Sequence, residues 1–314
     1  MFESSVKDKV LYCRLMECLK LENKEYMEMT DSKIYKYGRY VKRIKQYFSH
    51  PKILIKKINA TKTAKKITKM YPRVITKSRN DESANYFHTE RIAIYTSIFG
   101  AYDHVLEPAW VPDNCDFYII TDQEIGAGSV WKKIEPDSGV LSKLKSNALR
   151  NRYYKMFPHN VEELKDYRYS IYIDGNIKAV SDLTELVNRI GRYGLSFHRH
   201  SSRDCVYEEA KVCVMAKKET QKNVDAHMNY LREENFPEKY GMLECNVIVR
   251  DHTSDITKEI MQDWWKEFLR HSKRDQLSLP FVLYKHGIQV EEVATLGNNV
   301  YENYAIRVVK HIEE

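Results

Sequence analysis

Between residues 91 and 290, short apolar runs alternate with longer stretches of helical periodicity. The short runs, which end at polar residues or glycines, predict strands at 92–99, 116–122, 169–174, 195–197 and 246–250. Predicted helices lie at 141–156, 181–190, 204–217, 220–234, 255–270 and 274–286. Because strands alternate with helices, we predict an α/β fold with a mostly parallel sheet flanked by helices.

The first part of the chain has a different pattern, in which apolar residues recur three and four positions apart on one helical face. These residues are Ile34, Tyr37, Val41, Ile44 and Phe48. Proline 51 interrupts this helix because it disfavours helical backbone at the preceding residue, and the pattern then resumes near residue 54. Residues 73–89 are polar, as is typical of a linker. We therefore predict a largely helical extension at 1–89 and a domain at 90–314.

Charge separates the same two regions. The net charge is +7, but residues 1–89 contain 21 basic and 9 acidic residues, whereas residues 90–314 contain 30 and 35. We expect residues 33–79, which carry sixteen basic residues and no acidic one, to bind an anionic membrane surface. Packing on the domain or on a second subunit is the next alternative. Nucleic acid is the least favoured partner, since no nucleic-acid-binding motif accompanies the charge.

Composition indicates a globular protein of the cytoplasm. Hydrophobic residues make up 43% of the chain and charged residues 30%, which is compatible with a buried core. The six cysteines are scattered without metal-ligand spacing, as in proteins with reduced thiols. The N-terminus lacks a signal-peptide pattern, and no apolar run is long enough for a transmembrane helix. We expect a cytoplasmic protein that is peripheral on the inner face of the membrane.

The tripeptide Asp174-Gly175-Asn176 follows a predicted apolar strand. In mostly parallel sheets, ligands bind beyond the carboxyl ends of the strands. A carboxylate with a second oxygen ligand two residues later can hold Mg²⁺ or Mn²⁺ against a diphosphate. The same tripeptide is also an ordinary turn sequence, so both interpretations stay open.

Several motifs occur in a fixed order around this tripeptide. They are 92–103, 116–122, 158–159, 170–176, His198 with 203–209, 244–250, 264–265 and 274–278. Together they resemble the GT-A-like glycosyltransferase family that includes plant rhamnogalacturonan-I galacturonosyltransferases and bacterial surface-polysaccharide glycosyltransferases. The resemblance covers about residues 91–286. It implies a GT-A-like fold and sugar transfer from a nucleotide-diphosphate donor, a UDP-sugar, to a hydroxyl of a glycan or lipid-linked glycan.

The resemblance also implies a metal cofactor, Mn²⁺ or Mg²⁺. Asp174 and Asn176 occupy the place of the metal-binding Asp-x-Asp of GT-A enzymes, and asparagine at the second position lowers the charge available to the ion. His198 is either a third metal ligand or a packed histidine. A metal-independent enzyme would need cations instead, and Arg150, Arg152 and Lys155 are the candidates if they do not merely solvate a helix face.

Other residues are expected to bind the donor. The predicted nucleotide-sugar-binding residues are Thr96, Gly100, Asp122, Arg150, Lys155, Arg203, Asn246 and Gln276. Gly100 permits close backbone approach, and Asp122 either accepts hydrogen bonds from the nucleoside or caps a helix. Arg203 is expected to bind a phosphate or a sugar carboxylate.

Asp275 and Glu244 are the predicted catalytic carboxylates. Asp275, at a predicted helix start, is a general base, a group that stabilises positive charge at the anomeric carbon or orients the acceptor, or only a helix cap. Glu244 is its rival, with sugar-hydroxyl binding as its expected role. The plant relatives are expected to retain anomeric configuration, but this sequence does not separate retention from inversion. The alternative function, favoured by Asn176, is an inactive GT-A-shaped protein that binds a nucleotide or a glycan.

Overall fold

The structure is a computed structural model that describes residues 2–49, 51–74 and 87–311. Its α-helices are α1 (Phe2–Asp31), α2 (Lys33–Ser49), α3 (Pro51–Met70), α4 (Ser138–Lys143), α5 (Asn147–Met156), α6 (Val206–Met215), α7 (Gln221–Glu233), α8 (Asp255–Arg270), α9 (Asp275–Lys285) and α10 (Val290–Val293). Its strands are β1 (Ile92–Ile98), β2 (Cys115–Thr121), β3 (Lys132–Ile134), β4 (Tyr169–Ile173), β5 (Ile177–Ala179), β6 (Leu195–Arg199), β7 (Leu243–Asp251) and β8 (Ile306–Val308). Short 3-10 helices lie at Pro158–Asn160, Thr184–Arg189 and Val300–Glu302.

The main sheet has six strands in the order β3-β2-β1-β4-β7-β6. Strands β3, β2, β1 and β4 are parallel to one another, whereas β7 is antiparallel to both β4 and β6. The predicted α/β fold with a mostly parallel sheet is confirmed. Every residue of β1 is buried because both faces of the sheet are covered, which explains its continuous apolar sequence.

Different elements cover the two faces of this sheet. On one face, Ala93 and Tyr95 of β1 belong to a core that includes residues of α5, α8 and α9. On the other face, Ile92 and Ile94 belong to a core that includes the 3-10 helix Thr184–Arg189 and a small antiparallel sheet of β5 and β8. The three-residue strands β5 and β8 were not predicted, since their pairing joins segments about 130 residues apart.

Two predicted helices differ from the observed ones, and a side-chain cap explains the first difference. The helix predicted at 141–156 is divided into α4 and α5, because Ser146 accepts a hydrogen bond from the amide of Leu149 and begins a new helix. The segment predicted as a helix at 181–190 instead contains the 3-10 helix Thr184–Arg189, whose N-cap is Leu183, and the Asp182 side chain just before it accepts a 2.7 Å hydrogen bond from the Thr184 amide.

Helix α1 packs against the domain predicted at 90–314. Met16 is completely buried, and Lys20 forms a 2.9 Å ion pair with Glu185. Asn23 is also buried, and its Nδ2 donates 2.9 Å hydrogen bonds to the main-chain oxygens of Tyr304 and Ile306. These contacts join α1 to the segment that contains β8.

Helices α2 and α3 are more exposed. Ile34 is 87% exposed and Tyr37 is 69% exposed, so the described part of the predicted apolar stripe is not packed on the domain. The side chains of Ile44 and Phe48 lie outside the described residues. Helix α3 has no buried residue, and beyond it the amide of Val74 donates to the Ser202 oxygen. Most of the predicted linker, 75–86, also lies outside the described residues.

The described helices contain none that is both long and apolar enough to cross a membrane. All six cysteines carry free thiols, and four of them, Cys115, Cys205, Cys213 and Cys245, are buried.

We expect Asn23→Ala to lower the free energy of unfolding by about 1–3 kcal/mol, because two buried carbonyl oxygens would lose their donor. Urea unfolding of the full chain measures the change. Asn59→Ala, at an exposed position of α3, is the matched control. Equal destabilisation by the two substitutions would contradict the proposed contribution of Asn23.

Candidate active site

Four charged side chains meet beyond the carboxyl end of β4, where α5 and α9 approach it. Lys155 of α5 is 1% exposed, and its Nζ lies 2.8 Å from Asp275 Oδ2 and 3.4 Å from Asp174 Oδ1. Arg152 forms an ion pair with the same Asp275 oxygen, at 2.8 Å from its Nε. We call Arg152, Lys155, Asp174 and Asp275 the charge cluster. It unites predicted metal, donor-binding and catalytic residues.

Hydrogen bonds from two neighbouring residues, Tyr172 and Arg250, stabilise the charge cluster. The Tyr172 hydroxyl donates a 2.8 Å hydrogen bond to Asp174 Oδ1. Arg250, which is buried in β7, donates from Nη2 to the main-chain oxygen of Lys155 at 2.6 Å and from Nη1 to the Tyr95 hydroxyl at 3.1 Å. Because these donors fix both a carboxylate and the backbone of the lysine, the charges are held in a defined arrangement.

Asp275 is ionised in this environment. Burial would raise the pKa of its carboxyl, but the charges of Arg152 and Lys155 hold that pKa well below its usual range. Its Oδ1 accepts a 3.1 Å hydrogen bond from the Gln276 amide. A carboxylate with so low a pKa is a weak proton acceptor, so the contacts favour charge stabilisation or orientation over general-base catalysis. Asp275 is not the helix cap, since the N-cap of α9 is Arg274.

A chain of hydrogen bonds leads from Asp275 to the second predicted catalytic carboxylate. Gln276, the next residue, donates from Nε2 to Glu244 Oε2 at 2.7 Å. The other oxygen of Glu244 accepts hydrogen bonds from the Ser201 amide at 3.2 Å and hydroxyl at 3.0 Å. The structure therefore brings Asp275, Gln276 and Glu244 together.

The segment Asp174-Gly175-Asn176 forms a turn at the same edge of the sheet. Its first residue donates its amide to the Asn246 oxygen at 2.8 Å and accepts from the Ile177 amide at 2.8 Å. Asn176 donates from Nδ2 to the main-chain oxygen of Val309 at 3.1 Å. The two interpretations of the tripeptide are thus compatible, because a turn presents Asp174 at the strand end.

Asp103 is a site residue that the sequence analysis did not single out. A Cβ atom on Gly175 would lie 3.1 Å from Asp103 Oδ2, so this carboxylate faces the turn. Its other oxygen lies 2.8 Å from Nδ1 of His311. Burial raises the pKa of Asp103, the nearby His311 lowers it and the charge of Asp174 raises it again. The rule that ligands bind at strand ends points to Asp103, whereas no sequence signal points to His311.

The oxygen atoms around Gly175 partly fit a divalent cation. Asp103, Asp174 and Asn176 offer the hard oxygen donors that Mg²⁺ and Mn²⁺ prefer, and such ions commonly keep water and substrate phosphates as further ligands. Within 2–49, 51–74 and 87–311, no group of three or more His, Cys, Asp or Glu side chains is arranged to hold a metal ion. These residues therefore fit an ion that a diphosphate helps to bind, rather than a preformed cage.

His198 has the surroundings of a packed histidine. It is completely buried in β6, and its Nε2 lies 3.0 Å from Nδ2 of Asn303. Burial lowers its pKa to about 3, with a smaller effect from Arg189. Neutral imidazole is the form that binds metals, but here the hydrogen bond to Asn303 occupies one ring nitrogen. Its role as a metal ligand stays a prediction.

Asp122 and Gly100 join the carboxyl ends of β1 and β2. The amide of Gly100 donates to both carboxylate oxygens of Asp122, at 3.0 and 3.2 Å. The φ angle of Gly100 is +66°, and an added Cβ would lie 1.9 Å from Asn147 Nδ2, so this turn requires glycine. Asp122 is therefore a strand-end connector and not a helix cap. Nearby Thr96 is buried, and its hydroxyl has no partner among the described residues.

The predicted donor-binding cations differ in their surroundings. Lys155 is in the charge cluster and does not solvate a helix face. Arg150 instead donates from Nε to the Leu144 oxygen at 3.0 Å, which links the two helices α4 and α5. The Arg203 guanidinium pairs with Glu209 of α6. Arg150 and Arg203 are thus engaged by nearby protein groups, and their binding to a donor stays a prediction.

A mostly parallel α/β sheet with polar groups gathered at its carboxyl edge is the arrangement of nucleotide-binding α/β proteins. Residues 69–311 match the model of the TOD1/MUCI70 glycosyltransferase-like domain, and the chain belongs to this family. The glycosyltransferase resemblance of the motifs is thereby confirmed. A comparison with curated proteins gives no significant match.

The solved structures that are similar to this chain include three glycosyltransferases. The apo structure of bifunctional WbbM is 10% identical with a TM-score of 0.40, over 63% of this chain and 37% of that chain. GlyE of Streptococcus pneumoniae TIGR4 is 14% identical with a TM-score of 0.37, over 65% and 44%. Apo mouse xyloside xylosyltransferase 1 is 10% identical with a TM-score of 0.36, over 65% and 83%. The chain thus spans less than half of the first two, and its family assignment rests on the match over 69–311.

We expect Asp275→Asn to destabilise the fold by about 3–5 kcal/mol, because the buried Lys155 and the partly buried Arg152 would lose their shared counter-charge. A carboxyl group whose pKa is lower in the folded than in the unfolded state stabilises the fold fully above its unfolded-state pKa, which is about 3.9 for aspartate. This stabilisation is lost as the pH falls through the folded-state pKa. The difference in free energy of unfolding between wild type and variant should therefore be constant from about pH 8 to pH 5 and should shrink below about pH 4.

Chemical denaturation across this pH range measures this difference. Asp166→Asn, at an exposed turn, is the matched control and should show no comparable loss. A difference that widens as the pH falls would contradict the ionised state of Asp275.

Proposed function

We propose that this chain transfers a sugar from a nucleotide-diphosphate donor, a UDP-sugar, to a hydroxyl group of a glycan or lipid-linked glycan. The observation that carries the proposal is the charge cluster at the carboxyl end of β4, where Lys155 contacts both Asp174 and Asp275. Membership in a glycosyltransferase-like family supports the same reaction class. Synthesis of a surface polysaccharide is the proposed setting.

In this proposal, the turn after β4 is the diphosphate end of the site. Asp174, Asp103 and Asn176 are the residues that would hold Mn²⁺ or Mg²⁺. When bound, such an ion neutralises negative charge on the departing nucleoside diphosphate. Tyr172 and Lys155 fix the Asp174 carboxylate through its Oδ1 atom, which leaves Oδ2 to face the ligand.

Glu244 and Gln276 form the acceptor end of the proposed site. Glu244 accepts hydrogen bonds from the Ser201 amide and hydroxyl and from the Gln276 side chain, and His200 Nε2 lies 4.0 Å from its Oε1. Asp275 is instead held by the two cations Arg152 and Lys155. We therefore assign contact with the acceptor hydroxyl to Glu244, and stabilisation of positive charge to Asp275. Retention of anomeric configuration is part of the proposal, and NMR spectroscopy of the product's anomeric centre tests it.

We expect Asp174→Asn to lower nucleoside diphosphate formation by about a hundredfold, because one negative charge is removed where phosphate and cation would meet. The measurement is product analysis after incubation of the full chain with UDP-, GDP- and CMP-sugars, with and without Mn²⁺. Asp166→Asn serves again as the control. Full activity of Asp174→Asn would remove Asp174 from the proposed site.

A binding protein without turnover is the alternative function. Two observations favour it, namely the use of the Asn176 amide to hold Val309 and the lack of a preformed three-ligand metal site in the described part of the chain. Thermal-shift measurements with the same nucleotide sugars separate the two functions. Stabilisation of the fold without product formation would support the binding protein.

We further propose that α2 and α3 attach the chain to an anionic membrane surface on the cytoplasmic side. Each basic residue near such a surface adds on the order of 1 kcal/mol of attraction. Two features support this attachment. Ile34, Tyr37 and Val41 are exposed apolar residues on α2, and α3 carries exposed lysines. Because α1 packs on the domain, the proposal is best tested on the full chain.

Replacing four exposed lysines of α3 with glutamine is expected to reduce flotation with phosphatidylserine-containing liposomes by at least tenfold. These lysines are Lys56, Lys62, Lys65 and Lys69. A matched variant replaces four exposed lysines of the domain, Lys211, Lys217, Lys222 and Lys239. Equal flotation of the two variants would show that the charge of α3 does not direct membrane binding.

A further inference from the structure

A cavity of about 370 Å³ lies at the corner where α1 meets α2. Its walls include Lys24, Glu28 and Asp31 from the end of α1, and Tyr301 and Tyr304 from the segment that precedes β8. The cavity is therefore formed jointly by the N-terminal helix and the C-terminal part of the chain, away from the turn after β4.

The groups in this cavity suit an uncharged, hydroxyl-rich ligand. Tyrosine rings offer flat apolar surfaces, and Tyr301 is 49% exposed. Carboxylates at Glu28 and Asp31 accept hydrogen bonds from hydroxyl groups, and the Lys24 Nζ lies 5.6 Å from the Tyr304 ring centre. Lys36 pairs with Asp31 at 2.9 Å, so the two acidic and two basic groups at this corner balance and leave no surplus of positive charge to attract a diphosphate. The volume is at the lower end of the range for small-ligand sites, as expected for a short stretch of sugar units.

Contacts connect the cavity wall to the acceptor end of the candidate site. Asn303, two residues after Tyr301, contacts His198, and His198 is the cross-strand neighbour of Glu244. Burial raises the pKa of Tyr301, and the negative charge of Glu244 raises it further, while Arg73 lowers it. The contacts from Asn303 to His198, and the pairing of His198 with Glu244, thus join the segment that carries Tyr301 to the strand that carries Glu244.

We propose that this cavity is an acceptor subsite, which binds a sugar unit of the glycan at a distance from the hydroxyl that reacts. The inference rests on the proposed function and names the surface that its acceptor uses. A glycan bound against Tyr301 and Tyr304 extends past Tyr301 to Glu244, where the reacting hydroxyl is placed. The donor occupies the other side of the site, at Asp174.

The test measures binding of the full chain to an array of defined neutral and uronic-acid oligosaccharides, in the absence of nucleotide. Tyrosine is enriched among the residues whose truncation weakens binding most, so Tyr301→Ala is expected to bind about tenfold more weakly than wild type. Tyr40→Ala removes a tyrosine of α2 that is outside the cavity and similarly exposed, 52% against 49% for Tyr301, and this variant should bind as wild type does. Matching melting curves of both variants verify their folding.

The oligosaccharide array tests the subsite and the nucleotide-release assay tests the proposed transferase, so the two proposals can be rejected separately. Wild-type binding that Tyr301→Ala does not weaken, or no binding of wild type to any oligosaccharide, would overturn the subsite even if the chain releases UDP from a UDP-sugar. Oligosaccharide binding that depends on Tyr301, in a chain that releases no nucleotide, would support the subsite and overturn the transferase.

Discussion

The ion pair between Lys155 and Asp275 is the interaction on which the candidate site depends. Both side chains are almost fully buried, and a buried charge without a partner is strongly unfavourable. The pair therefore requires α5 and the start of α9 to meet. Since Lys155 also contacts Asp174, the same requirement places the end of β4 between the two helices.

This arrangement gives the two carboxylates Asp275 and Glu244 different surroundings. Asp275 is surrounded by cations and keeps its charge, so it acts as a fixed negative group. Glu244 lies one hydrogen-bonded side chain away and interacts with neutral donors. A site with charges held in advance needs little rearrangement when charge develops on a substrate, which is a major source of catalysis in enzymes. Arg250 adds to this order from within the sheet, because it binds the backbone of Lys155.

Much of the sheet was predictable because its central strands are buried on both faces. The apolar runs that contain β1, β2 and β4 identify these strands directly, and the position of Asp174 follows from the end of β4. The partners of Asp174 were not predictable in the same way. Lys155 and Asp275 are separated by 120 residues, and only the packing of their helices reveals that they form a pair.

The remaining differences have similar causes. Strands β5 and β8 are too short for an alternating pattern, and their pairing is set by tertiary contacts. Residues 1–89 were predicted as an extension, but α1 packs on the domain. Helix α1 has few apolar residues that face the domain, and its attachment depends on single residues such as Met16 and Asn23. Asp103 could have been predicted from the rule that ligands bind beyond the carboxyl ends of strands. Its neighbour His311 could not, because it comes from the far end of the chain.

The corner at Ser32 has a geometric consequence. Ser32 lines the cavity, and the next residue begins the basic helix α2, while α1 is anchored to the domain through Asn23. If α2 rests on a lipid surface, the height of the cavity above that surface is set by one short, anchored corner. A lipid-linked polymer would then bind in the cavity at a fixed distance from its lipid, so the corner would determine which sugar unit of the polymer reaches the cavity.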